Sequence, residues 1–186
     1  MHASRTTVMT FGTVSTRSAV RVVATAGVYG PATESGSVRE PGALPSAGVA
    51  TLFTRIVDGE IPGTFVWRDD RCVVFLSINP ISPGHALVVP IEEIDHWVDA
   101  PPELSAHLFR VAQIIGQAQQ AAFDCDRVGL IVAGYEVPHL HVHVIPTTSI
   151  REFNFAMAGN ATQEELTIAA DLLRTELRAR GYPEVV

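Results

Sequence analysis

His139-Leu140-His141-Val142-His143-Val144-Ile145-Pro146 decides how this chain is read. Imidazole and aliphatic side chains alternate, which is the period of a β-strand. In a strand, His139, His141 and His143 share one face, while Leu140, Val142 and Val144 share the other. The aliphatic face is expected to enter a core. The imidazole face is expected to look into a polar cleft, because unpartnered rings are costly to bury. Same-face neighbours on a strand lie roughly 7 Å apart. One ring can therefore attack an electrophile while the others hold neighbouring atoms of the same group. The strand is expected to run from His139 to Ile145 and to stop at Pro146.

Neutral imidazole is a nucleophile near pH 7 and donates a hydrogen bond from its other nitrogen. A phosphoester or phosphoramidate phosphorus suits such a row. Attack by one ring splits a hard displacement into two easier ones, and flanking rings supply donors to the oxygens and the leaving group. The rival chemistry is metal binding. His-x-His is a common ligand pair, and His85 adds a fourth imidazole, although Glu136 is the one evident carboxylate nearby. Composition narrows the field further. All 13 cations are Arg, which removes lysine Schiff-base chemistry and a P-loop lysine. A net charge of −7 argues against a general nucleic-acid binder. Cys72 and Cys125 make neither a disulfide framework nor a four-cysteine zinc site, and fit a reducing, cytoplasmic setting. The uncharged run from Cys72 to Ile91 holds three prolines, Asn79 and His85, so it reads as strand, loop and strand rather than a membrane span.

Outward from the histidines, the 186 residues suggest one domain with a tail. Leu52, Phe53 and Ile56 form a short helical face. Thr64–Arg68 and Cys72–Leu76 read as a hairpin turning at Asp69-Asp70-Arg71. Ala86–Val89 and Val128–Ala133 read as strands. Pro101-Pro102-Glu103 opens a long helix with a stripe of Leu104, Leu108, Val111, Ile115, Ala118 and Ala122. Thr162-x-x-Glu165 is a capping box for a C-terminal helix, which Gly181 and Pro183 end. His96 and His107 read as surface or satisfied structural histidines, Glu92-Glu93-Asp95 as a solvated face, and Cys72 as a small buried residue. Residues 1–48 read as an extension outside the domain, either disordered or upstream of a native start near Val49. Their Arg-bearing opening also resembles a transit peptide, whereas Arg17 and Arg21 interrupt the core of any secretory signal.

At His139–Ile145 the sequence resembles the histidine triad (HIT) superfamily, whose signature is His-φ-His-φ-His-φ-φ with φ hydrophobic. The resemblance extends to Ile56-Val57-Asp58-Gly59-Glu60-Ile61-Pro62 and to Phe75–Pro90, and is closest to the Hint-like branch. It implies an α+β fold for residues 49–186, with an antiparallel sheet of about five strands, a long helix and a C-terminal helix. It implies a homodimer that hydrolyses or transfers nucleotidyl groups of purine nucleotides, with phosphoramidates among the substrates and no cofactor. By motif position, His141 is the nucleophile at the α-phosphorus. His143 and His139 contact phosphate and leaving-group atoms and steady it, and His85 supports the triad. Leu52, Phe53, Ile56, Phe75 and Ile78 match the base pocket, and Ser77 stands where the family carries a ribose-binding acid or amide. Thr51-Leu52-Phe53-Thr54 stands where some members begin a zinc site with Cys-x-x-Cys, so no metal is expected. Tyr135 and Glu136 also depart from the family's phosphate-holding segment. With Ser77 they motivate the alternative of a nucleotide-binding regulatory protein with poor catalysis. The stretch Arg151–Met157, with Phe153 and Phe155, either crosses a dimer to shape the leaving-group pocket or simply packs.

Overall fold

The computed structural model describes residues 50–186. Readings that fall on residues 1–48 lie outside the described residues. The described chain is α+β. Helix α1 (Leu52–Val57) precedes a hairpin of β1 (Phe65–Arg68) and β2 (Cys72–Leu76), then β3 (Ala86–Pro90). The long helix α2 (Pro102–Ala122) follows, then β4 (Arg127–Ile131), β5 (Val142–Thr147) and the C-terminal helix α3 (Gln163–Ala179). Five strands form one antiparallel sheet in the order β1-β2-β3-β5-β4.

Both faces of this sheet are covered, and strand alternation sorts the side chains between them. Cys72, Val74 and Leu76 of β2, Ala86 and Val88 of β3, and Val142 and Val144 of β5 join one core with Leu104, Leu108, Val111 and Ile115 of α2. Leu173 and Leu177 of α3 close that layer. The intervening residues Val73, Phe75, Leu87 and Val89 pack on the opposite face with Phe53, Ile56 and Val57 of α1. This is why β2 and β3 are apolar without interruption: a strand buried on both faces has no polar side to show. The capping box at Thr162 and Glu165 forms as expected.

Three expectations need correction. The third long strand begins at Val142 rather than His139, and it passes through Pro146 to Thr147. Proline is tolerated there because its carbonyl, which accepts from Ser82 Oγ, points to the β3 side, where pairing ends at Val144. The missing N–H therefore faces no partner strand. Leu52 lies on the outside of α1, so the buried helical face is Phe53 and Ile56 without it. The strand read at Val128–Ala133 runs instead from Arg127 to Ile131.

The β1–β2 turn is pinned from across the fold. Asp69 Oδ1 accepts from the backbone N–H groups of Arg71 and Cys72, and Oδ2 accepts from Trp67 Nε1 and from His107 Nε2 at 2.9 Å. Burial pushes the Asp69 carboxyl up, but these donors outweigh it and bring it to about 2. His107 is thus a satisfied structural histidine. The Cys72 thiol completes a carboxylate, thiol and imidazole group, and burial pushes the thiol well above its ordinary value. Asp69→Ala should strand these donors and lower stability by about 2–3 kcal/mol. A urea midpoint within error of the parent protein would show that the carboxylate does not hold the turn.

Candidate active site

The site lies on the α1 side of the sheet, where β3, β5 and the segment before β5 come together. His143 lies on β5, opposite Leu87 of β3. His139 and His141 precede the strand, in chain held by a bond from Leu140 N–H to Ile94 O. The backbone there still alternates, so Leu140 enters the core while the rings face the other way. His85 follows Gly84, whose φ of +83° is a left-handed conformation that favours glycine. A side chain at position 84 would also run into the ring of Phe123.

Hydrogen bonds fix the ring protons one by one. Ile81 N–H donates to His85 Nδ1 at 3.1 Å. In a neutral ring that leaves the proton on His85 Nε2, which donates to His143 Nδ1 at 2.9 Å. The His143 proton is then on Nε2. His141 Nδ1 lies 2.7 Å from the carbonyl oxygen of His139. A carbonyl only accepts, so Nδ1 carries the proton and Nε2 keeps a lone pair. His139 Nε2 donates in the same way to Pro90 O at 2.9 Å, and His139 Nδ1 accepts from the Thr51 hydroxyl at 2.9 Å. The rings are neutral because burial disfavours the cation. It holds His85 at about 4, and His143 at about 3 with added repulsion from His141 and His85. Burial also lowers His139 and His141 below the ordinary value.

The row is largely buried, with His143 the most accessible of its rings. His85, His139 and His141 are buried, and the protein supplies partners for both ring nitrogens of His85 and His139, while among the described residues His141 is held at Nδ1 alone. His139 has both ring nitrogens occupied, so its geometry suits steadying His141 rather than touching a phosphate. Metal ligation by the row has the same difficulty, since both nitrogens of His85 are also engaged. Thr51 and Thr54 gather at His139 Nδ1, with Glu93 behind them. These neutral hydroxyls and an occupied imidazole do not fit a structural zinc, which takes thiolate and free imidazole ligands.

The expected base-pocket residues divide. Phe53 sits edge-on to His141 with ring centroids 5.0 Å apart, and edge-on to Phe75 at 5.5 Å. With Ile56 they form one apolar wall beside the nucleophile. Leu52 and Ile78 are exposed, and the Ser77 hydroxyl accepts from Asn79 N–H. Tyr135 and Glu136 are exposed as well. Phe155 stands edge-on to His143 at 4.9 Å, and the Phe153 ring covers Gly129. Within a single chain, then, the 151–157 stretch already packs on the sheet and borders the site.

Two residues escaped the sequence reading. Glu93, read as solvated, is exposed, and it also accepts from Thr51 N–H and from the Thr54 hydroxyl. Gln119 is fully buried and donates from Nε2 to the carbonyls of Gly84 and Val144, the neighbours of His85 and His143. A signal for Gln119 existed, since it stands four residues beyond Ile115 in the buried stripe of α2. Glu93 had no such signal.

An α+β fold whose antiparallel sheet, with the segment leading into β5, carries three alternating histidines defines a class, and comparison with known proteins agrees with it. The HIT domain profile matches residues 58–150, half of the chain. An uncharacterised HIT-like protein of Methanocaldococcus jannaschii is 35% identical over 99 residues, covering 51% of this chain and 77% of the relative. Adenylylsulfatase HINT3 of Arabidopsis thaliana is 32% identical over 100 residues, 51% of each chain. A Hit-like protein involved in cell-cycle regulation from Bartonella henselae superposes with a TM-score of 0.61 at 29% identity, over 68% of this chain and 95% of that one. A zinc-bound histidine triad family protein from Mycobacterium smegmatis gives 0.61 at 26% identity, over 69% and 94%. The chain belongs to the HIT superfamily of nucleotide-binding proteins and hydrolases.

Depressed histidines tie stability to pH. Above about pH 7 the rings are neutral in both folded and unfolded states and contribute no dependence. Between the ordinary 6.5 and about 3 to 4, the unfolded chain takes up protons that folded His85 and His143 refuse, so stability falls as pH falls. Urea denaturation at stepped pH should show this decline beginning near 6.5, with a shallower slope in His143→Gln. Identical slopes would mean that His143 titrates normally in the folded protein.

Proposed function

We propose that the chain hydrolyses or transfers nucleotidyl groups of purine nucleotides, acting on phosphoramidate or related phosphoanhydride bonds through a nucleotidyl-histidine at His141. One observation carries this reading: the bond from His141 Nδ1–H to the His139 carbonyl leaves the Nε2 lone pair as the ring's nucleophilic atom. In the first step Nε2 bonds to the α-phosphorus as the bond to the leaving group breaks. The leaving group departs with the bonding pair and a proton drawn from solvent. In the second step water attacks phosphorus and releases a proton to solvent, the N–P bond breaks, and its electron pair returns to Nε2 as a nucleoside monophosphate forms. His143 Nε2–H donates to the charge that builds on the transferring group. Its low proton affinity makes it a neutral donor rather than an acid. The Phe53, Ile56 and Phe75 wall supplies apolar contact for a flat base.

His141→Ala should abolish turnover of an adenosine phosphoramidate while leaving nucleoside monophosphate affinity within about threefold, the pattern of a group that acts only in the transition state. Full activity in that variant would end the proposal. Nucleotide binding by the parent protein without turnover on adenosine and guanosine phosphoramidates would favour the regulatory alternative instead.

We also infer a homodimer. Among the described residues strand β4 pairs with β5 alone, which leaves its outer edge without a partner strand there. Leu130 on that strand and Phe109 on α2 are exposed. An open strand edge beside exposed apolar side chains suits pairing with a second copy. Sedimentation should find a dimer that Leu130→Asp weakens by at least about tenfold, the equivalent of about 1.4 kcal/mol. A monomeric parent protein would refute it. Two free cysteines fit action in the reducing cytoplasm, and among the described residues no helix is long and apolar enough to cross a membrane.

A further inference from the structure

The segment that leaves β3 grips His139 at several points. Pro90 O takes the proton of His139 Nε2, and Ile94 O takes the N–H of Leu140 at 2.6 Å. Glu93, between them, reaches His139 from the opposite side of the ring through two hydroxyls. Its Oε2 accepts from Thr51 N–H at 3.1 Å and from the Thr54 hydroxyl.

Counting protons shows what the carboxylate does. A carboxylate only accepts, so the Thr54 hydroxyl proton is committed to Glu93. The Thr51 oxygen already accepts from Thr54 N–H as the cap of α1. Its own proton then has two acceptors at 2.9 Å, Thr54 Oγ1 and His139 Nδ1. The ring nitrogen is the one that lacks another short partner among the described residues, because Pro90 O has claimed the proton of Nε2. Thr54 Oγ1 stands 3.4 Å from the same ring nitrogen and would compete as donor if Glu93 did not hold its proton. The Glu93 carboxyl is held below its ordinary value, chiefly by the Thr54 hydroxyl and the Thr51 N–H, so it is the acceptor at neutral pH.

We propose that Glu93 is a positioning residue for the reaction: acting through Thr54 and Thr51, it fixes the ring of His139 and thereby the carbonyl that orients His141. The tether deepens the function proposed above and rests on it. It also joins two parts of the site. Thr51 and Thr54 belong to α1 and its cap, and the same helix carries Phe53 against His141. A base pressing on that helix therefore presses on a structure bonded to the histidine that aims the nucleophile.

Four variants test this, Glu93→Ala, Glu93→Gln, Thr51→Val and Thr51→Ser, with turnover of adenosine 5′-phosphoramidate and ring-nitrogen NMR of the free protein at pH 7. Glu93→Ala and Thr51→Val should lower kcat by about 10–100-fold while KM changes by less than about threefold, the loss expected from a misaimed reacting group. Thr51→Ser, which keeps the hydroxyl, should restore kcat, and Glu93→Gln, which keeps an acceptor, should fall between. In the two damaging variants, His139 should show mixed ring tautomers and the Nδ1–H of His141 should exchange faster. Parent-like kcat in both would overturn the proposal, and so would a loss of kcat with the ring signals of His139 and His141 unchanged. If instead His141→Ala retains turnover, the catalytic reading fails, while the ring signals still report on the tether.

Discussion

The bond from His141 Nδ1–H to the carbonyl two residues earlier sets the polarity of the whole site. The two neutral tautomers of an imidazole differ little in energy. A net gain of about 1 kcal/mol from one hydrogen bond already favours one of them several-fold, and leaving the buried acceptor unpaired costs about 1–3 kcal/mol more. The main chain therefore chooses which nitrogen is nucleophilic. It can do so only if the His139 carbonyl is itself held in place. The contacts of His139 and Leu140 with Thr51, Pro90 and Ile94 meet that requirement.

Those contacts in turn need a rigid base. β2 and β3 are covered on both faces, by α2 and α3 on one side and by α1 on the other. Helix α1 has six residues, too few to hold its shape alone in water. Its stability comes from burying Phe53, Ile56 and Val57 and from the Thr51 cap. The wall beside the nucleophile is thus made of packing rather than of intrinsic helix propensity. On the other face, Gln119 ties the two backbones that flank His85 and His143. Its Nε2 fixes the spacing between the two backbones, while its Oε1 stays buried without a partner among the described residues.

Much of this was legible in the sequence where the signal is local. The alternation His139 to Val144 assigned a face to every residue, and those faces hold even where the ladder has not begun. The stripe from Leu104 to Ala118 marked the buried side of α2, and Thr162 with Glu165 marked the start of α3. What stayed hidden depends on segments far apart in the chain. Asp69 and His107 are 38 residues apart and meet only because α2 crosses the hairpin. Glu93 sits in an acidic loop where a carboxylate normally faces water, and only the fold carries Thr51 and Thr54 to it. The polar partners of the row stayed hidden for a related reason. Burying a polar ring is costly only when it lacks partners, and periodicity says nothing about Pro90 O, Ile81 N–H or the Thr51 hydroxyl as partners.

The chain of bonds from Ile81 through His85 to His143 has a direction, and a peptide amide begins it. Every amino acid but one brings that amide to position 81. Genetic drift there can alter size, charge or polarity and leave the sense of the relay intact, whereas proline alone would erase its origin. The information that orients the two rings is thus stored in the part of the polypeptide that nineteen residue types share, out of reach of nearly every point mutation at that codon.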